Sequence, residues 1–367
     1  MSATELTHDG SEPEVRHSLE ICNACRYCEG YCAVFPAMEL RREFSDADLG
    51  YLANLCHNCA GCFHSCQYAP PHEFGVNLPQ AFTNLRVETY GQHAWPAPFA
   101  RLFERNGLVV SLATALALGL VLLAVMALQD WDVLNGVHRG DGAFYAVIPH
   151  NAMVAVGGLT FGYALVAMAM AMARFWRVSG GGGVSLPAVA GALHDAATTR
   201  YLGGGGDGCN DVDDRFSSAR RHSHLATMWG FILCFAATCA GTVYDYGFGW
   251  VAPYSWYSLP VLLGTVGGIM LSVGTFGLFA VKLRADRAPV AMTRLGMDYG
   301  FLALLFFTAT TGLALLAFRH TAGMGMLLAI HLGFVLALFL TLPYGKFVHA
   351  PYRLLALIRY RMEAPHD

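Results

Sequence analysis

Two cysteine runs carry the clearest chemical signal in this chain. The first is Cys22-Asn-Ala-Cys25-Arg-Tyr-Cys28-Glu-Gly-Tyr-Cys32, and the second is Cys56-His-Asn-Cys59-Ala-Gly-Cys62-Phe-His-Ser-Cys66. Both read C-x2-C-x2-C-x3-C, the bacterial-type spacing for two [4Fe–4S] clusters, in which the fourth cysteine of a run ligates the other run's cluster. The spacing predicts one metal site from Cys22, Cys25, Cys28 and Cys66, and a second from Cys56, Cys59, Cys62 and Cys32. A pair of zinc sites explains the pattern less well. Tetrahedral zinc needs only two C-x2-C pairs and leaves the interposed third cysteine without a role. The prolines that end each run come four residues after the last cysteine, at Pro36 and Pro70, so the chain leaves the cluster by a loop of its own. His57 and His64 read as exposed loop residues. The first ten residues show no basic or apolar stretch of a signal peptide, so this head is expected in a reducing compartment, where dense cysteines are metal ligands.

A second set of candidates is histidine. His331 and His349 lie 18 residues apart in the last apolar segment. On one continuous helix they would share a face about 27 Å apart, one near each leaflet, an arrangement suited to two stacked haems. Each iron would need a second imidazole. His150 lies at the depth of His331, and His224, which with His222 opens the third helix, lies at the depth of His349. Histidines inside a membrane segment are functional candidates because a polar ring in hydrocarbon needs a partner. His138, His194, His320 and His366 read as solvated. Cys234 and Cys239 read as small buried apolar residues, and Met168, Met170 and Met172 as lipid-facing.

The elements that must position these residues follow from composition. The chain has 367 residues, of which 55% are hydrophobic and 13% charged, about half the ~25% charge of soluble domains. The first 107 residues hold 13 acidic and 7 basic residues, the wrong sign for nucleic acid. From residue 108 onward, six stretches free of Asp, Glu, Lys and Arg are long enough to span a bilayer. They predict helices near 108–128, 150–173, 223–245, 259–282, 298–318 and 324–349, with Gly264, Gly267, Gly268, Gly274 and Gly277 allowing close packing. Arg101 and Arg105, Arg174 to Arg221, Lys282 to Arg294 and Lys346 to Arg361 fall on one side, and only Arg139 and Arg319 on the other. By the positive-inside rule both termini are expected in the cytoplasm, with the chain multi-pass in a bacterial-type inner (cytoplasmic) membrane. The predicted architecture is mainly α: a polar tail over 1–20, a small ferredoxin-like bis-[4Fe–4S] head over 21–107, a six-helix transmembrane haem-b bundle over 108–349, and a basic tail over 350–367. The segment 175–221, with glycine runs at 180–183 and 203–206, reads as a flexible cytoplasmic connector and Cys209 as an ordinary free thiol. Neither glycine run has the following Gly-Lys-Ser/Thr of a phosphate loop.

The second cysteine run with its tail Gln67-Tyr68-Ala69-Pro70-Pro71-His72-Glu73-Phe74 resembles the tricarballylate- or citrate-utilisation protein B family. So do Arg220-Arg221-His222-Ser223-His224, running into Gly230–Thr238, and Ser258–Thr265. The last helix, Leu342-Pro343-Tyr344-Gly345-Lys346-Phe347-Val348-His349, is similar to the haem-b helix of nitrate-reductase gamma-type subunits. The resemblance implies an electron-transfer protein that reoxidises a soluble FAD-dependent dehydrogenase of tricarballylate or a citrate pathway and passes electrons, through two [4Fe–4S] clusters and haem b (one or two), to membrane quinone. No flavin or nicotinamide motif occurs here, so substrate oxidation is expected in the partner. The alternative from another class is a tricarboxylate transporter or a redox sensor. A transporter should show inverted repeats and broken helices around midplane polar groups, and this sequence shows no such repeat and no midplane Arg or Lys to bind a carboxylate.

Overall fold

The structure is a computed structural model and describes residues 11–363. The head is helical: α1 (Glu12–Cys25), α2 (Val34–Glu39), α3 (Asp46–Leu55), α4 (Gly61–His64) and α5 (Leu78–His93). Helix α1 starts inside the expected polar tail because Val15 and Leu19, four residues apart and so on one face, are fully buried in the head's core. Residues 1–10 of that tail lie outside the described residues. Helix α3 opens on a capping box, Ser45 and Asp48 each satisfying the other's backbone amide.

Among the described residues, six helices are long and apolar enough to cross a membrane. They are α6 (Asn106–Leu128), α8 (His150–Val178), α10 (Ala219–Thr242, continued by a π turn to Gly247), α11 (Leu259–Arg284), α12 (Leu295–Phe318) and α13 (Met324–Thr341). The short α7 (Trp131–Leu134) lies between the first two. Large apolar side chains face outward along them, among them Leu116, Leu159 and Phe276, as lipid contact requires. The most extensive pairing is α10 on α11, and glycine permits it. A Cβ on Gly274 would lie 2.5 Å from the Thr227 amide nitrogen, one on Gly267 2.8 Å from that of Cys234, and one on Gly230 2.5 Å from that of Leu271.

Three expectations need correction. The last apolar segment is not one helix to residue 349: α13 stops at Thr341, two 3-10 turns flank an extended Gly345, and a new helix α14 (His349–Glu363) begins. Pro343 lacks an amide and its ring collides with a preceding carbonyl, which ends the helix there. His331 and His349 therefore do not share a helical face. The stretch 350–367 is likewise no free tail: Ala356, Leu357 and Ile358 of α14 join the head's core, and only residues 364–367 lie outside the described residues. Nor is 175–221 a loose connector, since it folds into α9 (Leu186–Ala197) and a small antiparallel hairpin, β1 (Cys209–Asn210) with β2 (Phe216–Ser217). Asp195 of α9 is fully buried and accepts two hydrogen bonds from Arg361 of α14, at 2.6 and 2.7 Å. A second ion-pair net closes the other side of α14: Arg41 and Arg359 bridge Asp48 and Glu363, with both guanidinium groups over the Tyr51 ring.

Candidate functional site

The two cysteine runs fold alike. The residue after the second cysteine of each, Arg26 and Ala60, is left-handed, with φ of 57° and 61°. That turn brings the cysteines on either side of it toward one space, and the conformation costs a non-glycine residue stability, as strain at a built site does. Tyr31 Oη donates to Ser65 Oγ at 2.9 Å and ties the runs together.

The thiols fall into two neighbourhoods. Burial pushes the Cys22 thiol up to about 12, and the thiols of Cys66, Cys28 and Cys25 push it the same way. Cys28 is also pushed up to about 12, by burial and then by Cys66, Cys25 and Cys59. Cys32 is raised well above the usual thiol range by burial and by Cys59 and Cys56, and Cys62 by burial and by Cys59, Cys56 and Cys32. Cys66 thus stands near Cys22 and Cys28, and Cys32 near Cys56, Cys59 and Cys62, while Cys28 also borders Cys32, Cys59 and Cys62. A cavity of about 290 Å³ opens among Cys22, Cys25, Cys28, Cys62 and Cys66, walled by Phe35, Phe63 and Leu78. Among the described residues no three His, Cys, Asp or Glu side chains converge on a point as a single metal ion requires. The donor set, eight thiols in two runs, is of the kind that iron–sulfur clusters take. Bound iron would reverse the raised pKa values, because a coordinating thiol is deprotonated outright.

Beneath the second run lies the membrane histidine pair. The rings of His224 and His349 are 6.3 Å apart, centre to centre, and nearly perpendicular at 82°. With metal–nitrogen bonds of roughly 2 Å, one metal between two imidazoles would put the ring centres about 6 Å apart. His349 Nδ1 faces the Lys346 carbonyl at 2.5 Å, the outer contact that fixes the tautomer of a ligating histidine. Among the described residues His224 Nδ1 is buried without a partner, whereas His222 is exposed.

The outer histidines are placed differently. His150 Nε2 is 3.1 Å from Asp245 Oδ2, in the π turn that ends α10, and its ring lies against Tyr145 and Tyr246. His331 Nδ1 is 3.2 Å from Thr311 Oγ1, and a Cβ on Gly312 would lie 2.9 Å from its ring. The described residues show no ring contact between His150 and His331. His194 and His320 are exposed, while His138 Nε2 faces the Val133 carbonyl at 2.7 Å, and His366 lies outside the described residues. Cys239 is exposed on α10 rather than buried, and Cys234 is half-buried. Met170 faces outward, but Met168 and Met172 line a narrow space with Tyr90, Pro343 and Tyr352.

Sequence reasoning missed the junction between head and bundle. Arg353, one turn after His349 on α14, donates to the Cys56 carbonyl at 2.7 Å. Arg220, one turn before His224 on α10, donates to the Asn58 carbonyl at 2.5 Å and pairs with Asp211 at 2.7 Å. Each helix that carries a histidine of the pair thus holds the second cysteine loop by an arginine on the same face. His57, read as an exposed loop residue, is half-buried there, with Nδ1 3.0 Å from the Leu55 carbonyl. Burial drives its imidazole well below the usual range, and Arg353 and His224 beside it act in the same direction. The four-residue spacings Arg220–His224 and His349–Arg353 were the available signal.

The family model for the Citrate utilization protein B Fer4-like domain matches residues 15–92, and that for Citrate utilization protein B matches residues 101–366. A relative from Escherichia coli, described as Citrate utilization protein B, is 49% identical over 353 residues, covering 96% of this chain and 92% of its own length. No solved structure matches the chain. The paired cysteine runs, the six apolar helices and these matches together place the chain in the citrate utilization protein B family, as a multi-pass membrane protein with a Fer4-like head.

Proposed function

We propose that this chain is a membrane electron-transfer protein of citrate or tricarballylate utilisation, which reoxidises a soluble flavin-dependent dehydrogenase and delivers its electrons to quinone. Cys22, Cys25, Cys28 and Cys66 would hold one [4Fe–4S] cluster, Cys32, Cys56, Cys59 and Cys62 the second, and His224 with His349 the iron of haem b. Bound there, these groups supply one-electron carriers that split the two-electron chemistry of flavin. The observation that carries this reading is the junction: Arg220 and Arg353 fix the second cysteine loop directly over the histidine pair. A head joined only for anchoring has no need for its metal loop to be clamped by the helices that carry the histidines.

The chain's own residues do three things in this scheme. The cysteines would fix the metal groups, Phe35, Phe63 and Leu78 would wall one of them, and the two arginines set the spacing between head and bundle. The basic loops and the head share one side, which the positive-inside rule makes the cytoplasmic side, where a soluble dehydrogenase can dock. His150 and His331 remain candidates for a second haem. The test is chemical analysis of anaerobically purified protein with its visible spectrum before and after dithionite. Iron, acid-labile sulfide and a reducible low-spin haem b spectrum are expected. Stoichiometric zinc without sulfide, or a protein with no reducible haem, would overturn the reading.

A further inference from the structure

We propose that the glycine loop 203–208, with Cys209, is a cap on the second cysteine site that sets the reduction potential of the cluster held there and keeps water from it. The inference rests on the iron–sulfur reading of the head and goes beyond it, because this loop belongs to the segment between α8 and α10 and to neither cysteine run.

Cys209 is fully buried and packs with Cys59 and Leu202. The next amide, of Asn210, donates to the Cys59 carbonyl at 3.0 Å. Gly204 lies against the turn that follows Cys59, where a Cβ on Gly61 would be 3.4 Å from the Gly204 Cα. The loop's shape depends on glycine: Gly204 has φ +50° and Gly208 φ +130°, and a Cβ on Gly204 would lie 2.3 Å from the Gly208 carbonyl oxygen. Gly205 rests against the first run, where a Cβ would come within 3.3 Å of the Gly30 carbonyl oxygen. Asn210 is only 2% exposed, and among the described residues its side-chain oxygen has no partner. A run of glycines that composition alone assigns to a flexible linker is therefore closed, with Gly203, Gly204 and Gly208 buried beside one metal-site thiol and Gly205 to Asp207 exposed at its tip. Hydrogen-bond donors to a cluster's sulfur stabilise the more negative, reduced state and raise its potential, and burial controls how far water screens it.

The test is a redox titration of the full-length protein in detergent, followed by electron paramagnetic resonance. The second cluster is identified as the signal lost in Cys59→Ser, and the first cluster is the internal reference. Cys209→Ala removes the thiol donor beside Cys59 and should lower the second cluster's midpoint potential while leaving the first unchanged. Cys209→Ser, nearly the same size, places a hydroxyl donor beside Cys59 and should raise it. Opposite shifts from one loop are not what general loosening produces, and the serine variant keeps the test open if the alanine variant fails to fold. Two clusters that titrate as in the wild type in Cys209→Ser, or that shift together in both variants, would overturn the cap alone. A wild-type protein with no cluster signals would overturn the iron–sulfur reading and the cap with it.

Discussion

The arginines one turn from His224 and His349 govern the junction, because a guanidinium holds a carbonyl with a rigid fork that lysine lacks. Arg353→Lys and Arg220→Lys should keep both clusters and the haem. Stopped-flow absorbance should then show haem reduction from the reduced head slowed by at least about tenfold, the scale that small misplacements of reacting groups cost. The histidines predict a sharper contrast. His224→Ala and His349→Ala should each lose low-spin haem absorbance in membranes that still contain the protein. His222→Ala, two residues from His224 but exposed, should retain it. Equal haem content in all three would show that the pair does not bind iron. Cys59→Ser should remove one cluster signal and leave the first run's cluster detectable.

At the scale of elements, α14 and α9 are structural parts of the head. Asp195→Ala strands Arg361 at their contact and should lower stability by about 3 kcal/mol, the low end for breaking a buried pair, since Arg361 keeps some contact with water; thermal melting of the detergent-solubilised protein checks it. Gly274→Leu forces α10 away from α11, where a Cβ already meets the Thr227 amide, and should cost about 1–3 kcal/mol, as overpacking does. What could be read beforehand was local. Cysteine spacing and charge-free runs of spanning length need only neighbouring residues to be interpreted. What could not be read was long-range. Composition marks 175–221 and 350–363 as glycine-rich or basic, and only burial of Asp195, Cys209 and Leu357 against distant segments turns them into packed structure. His57 was misjudged for the same reason: nothing within its own loop shows that α10 and α14 close over it.

The whole molecule places an acidic head above an apolar bundle, and that arrangement bears on its partner. With 13 acidic against 7 basic residues in the first 107, docking of a dehydrogenase should be partly electrostatic. Its bimolecular rate should fall as salt shortens the screening length below the ~8 Å of physiological ionic strength. A rate independent of salt would place docking on apolar contacts instead. The route through the molecule is tested most directly by reconstituting the purified protein in quinone-containing liposomes and adding the pre-reduced flavoprotein without oxygen. Flavin reoxidation, transient haem reduction and quinol formation should appear together, and all three should stop in Cys59→Ser. Flavin reoxidation at the same rate in liposomes lacking this protein, or quinol formation with no haem reduction, would contradict the account.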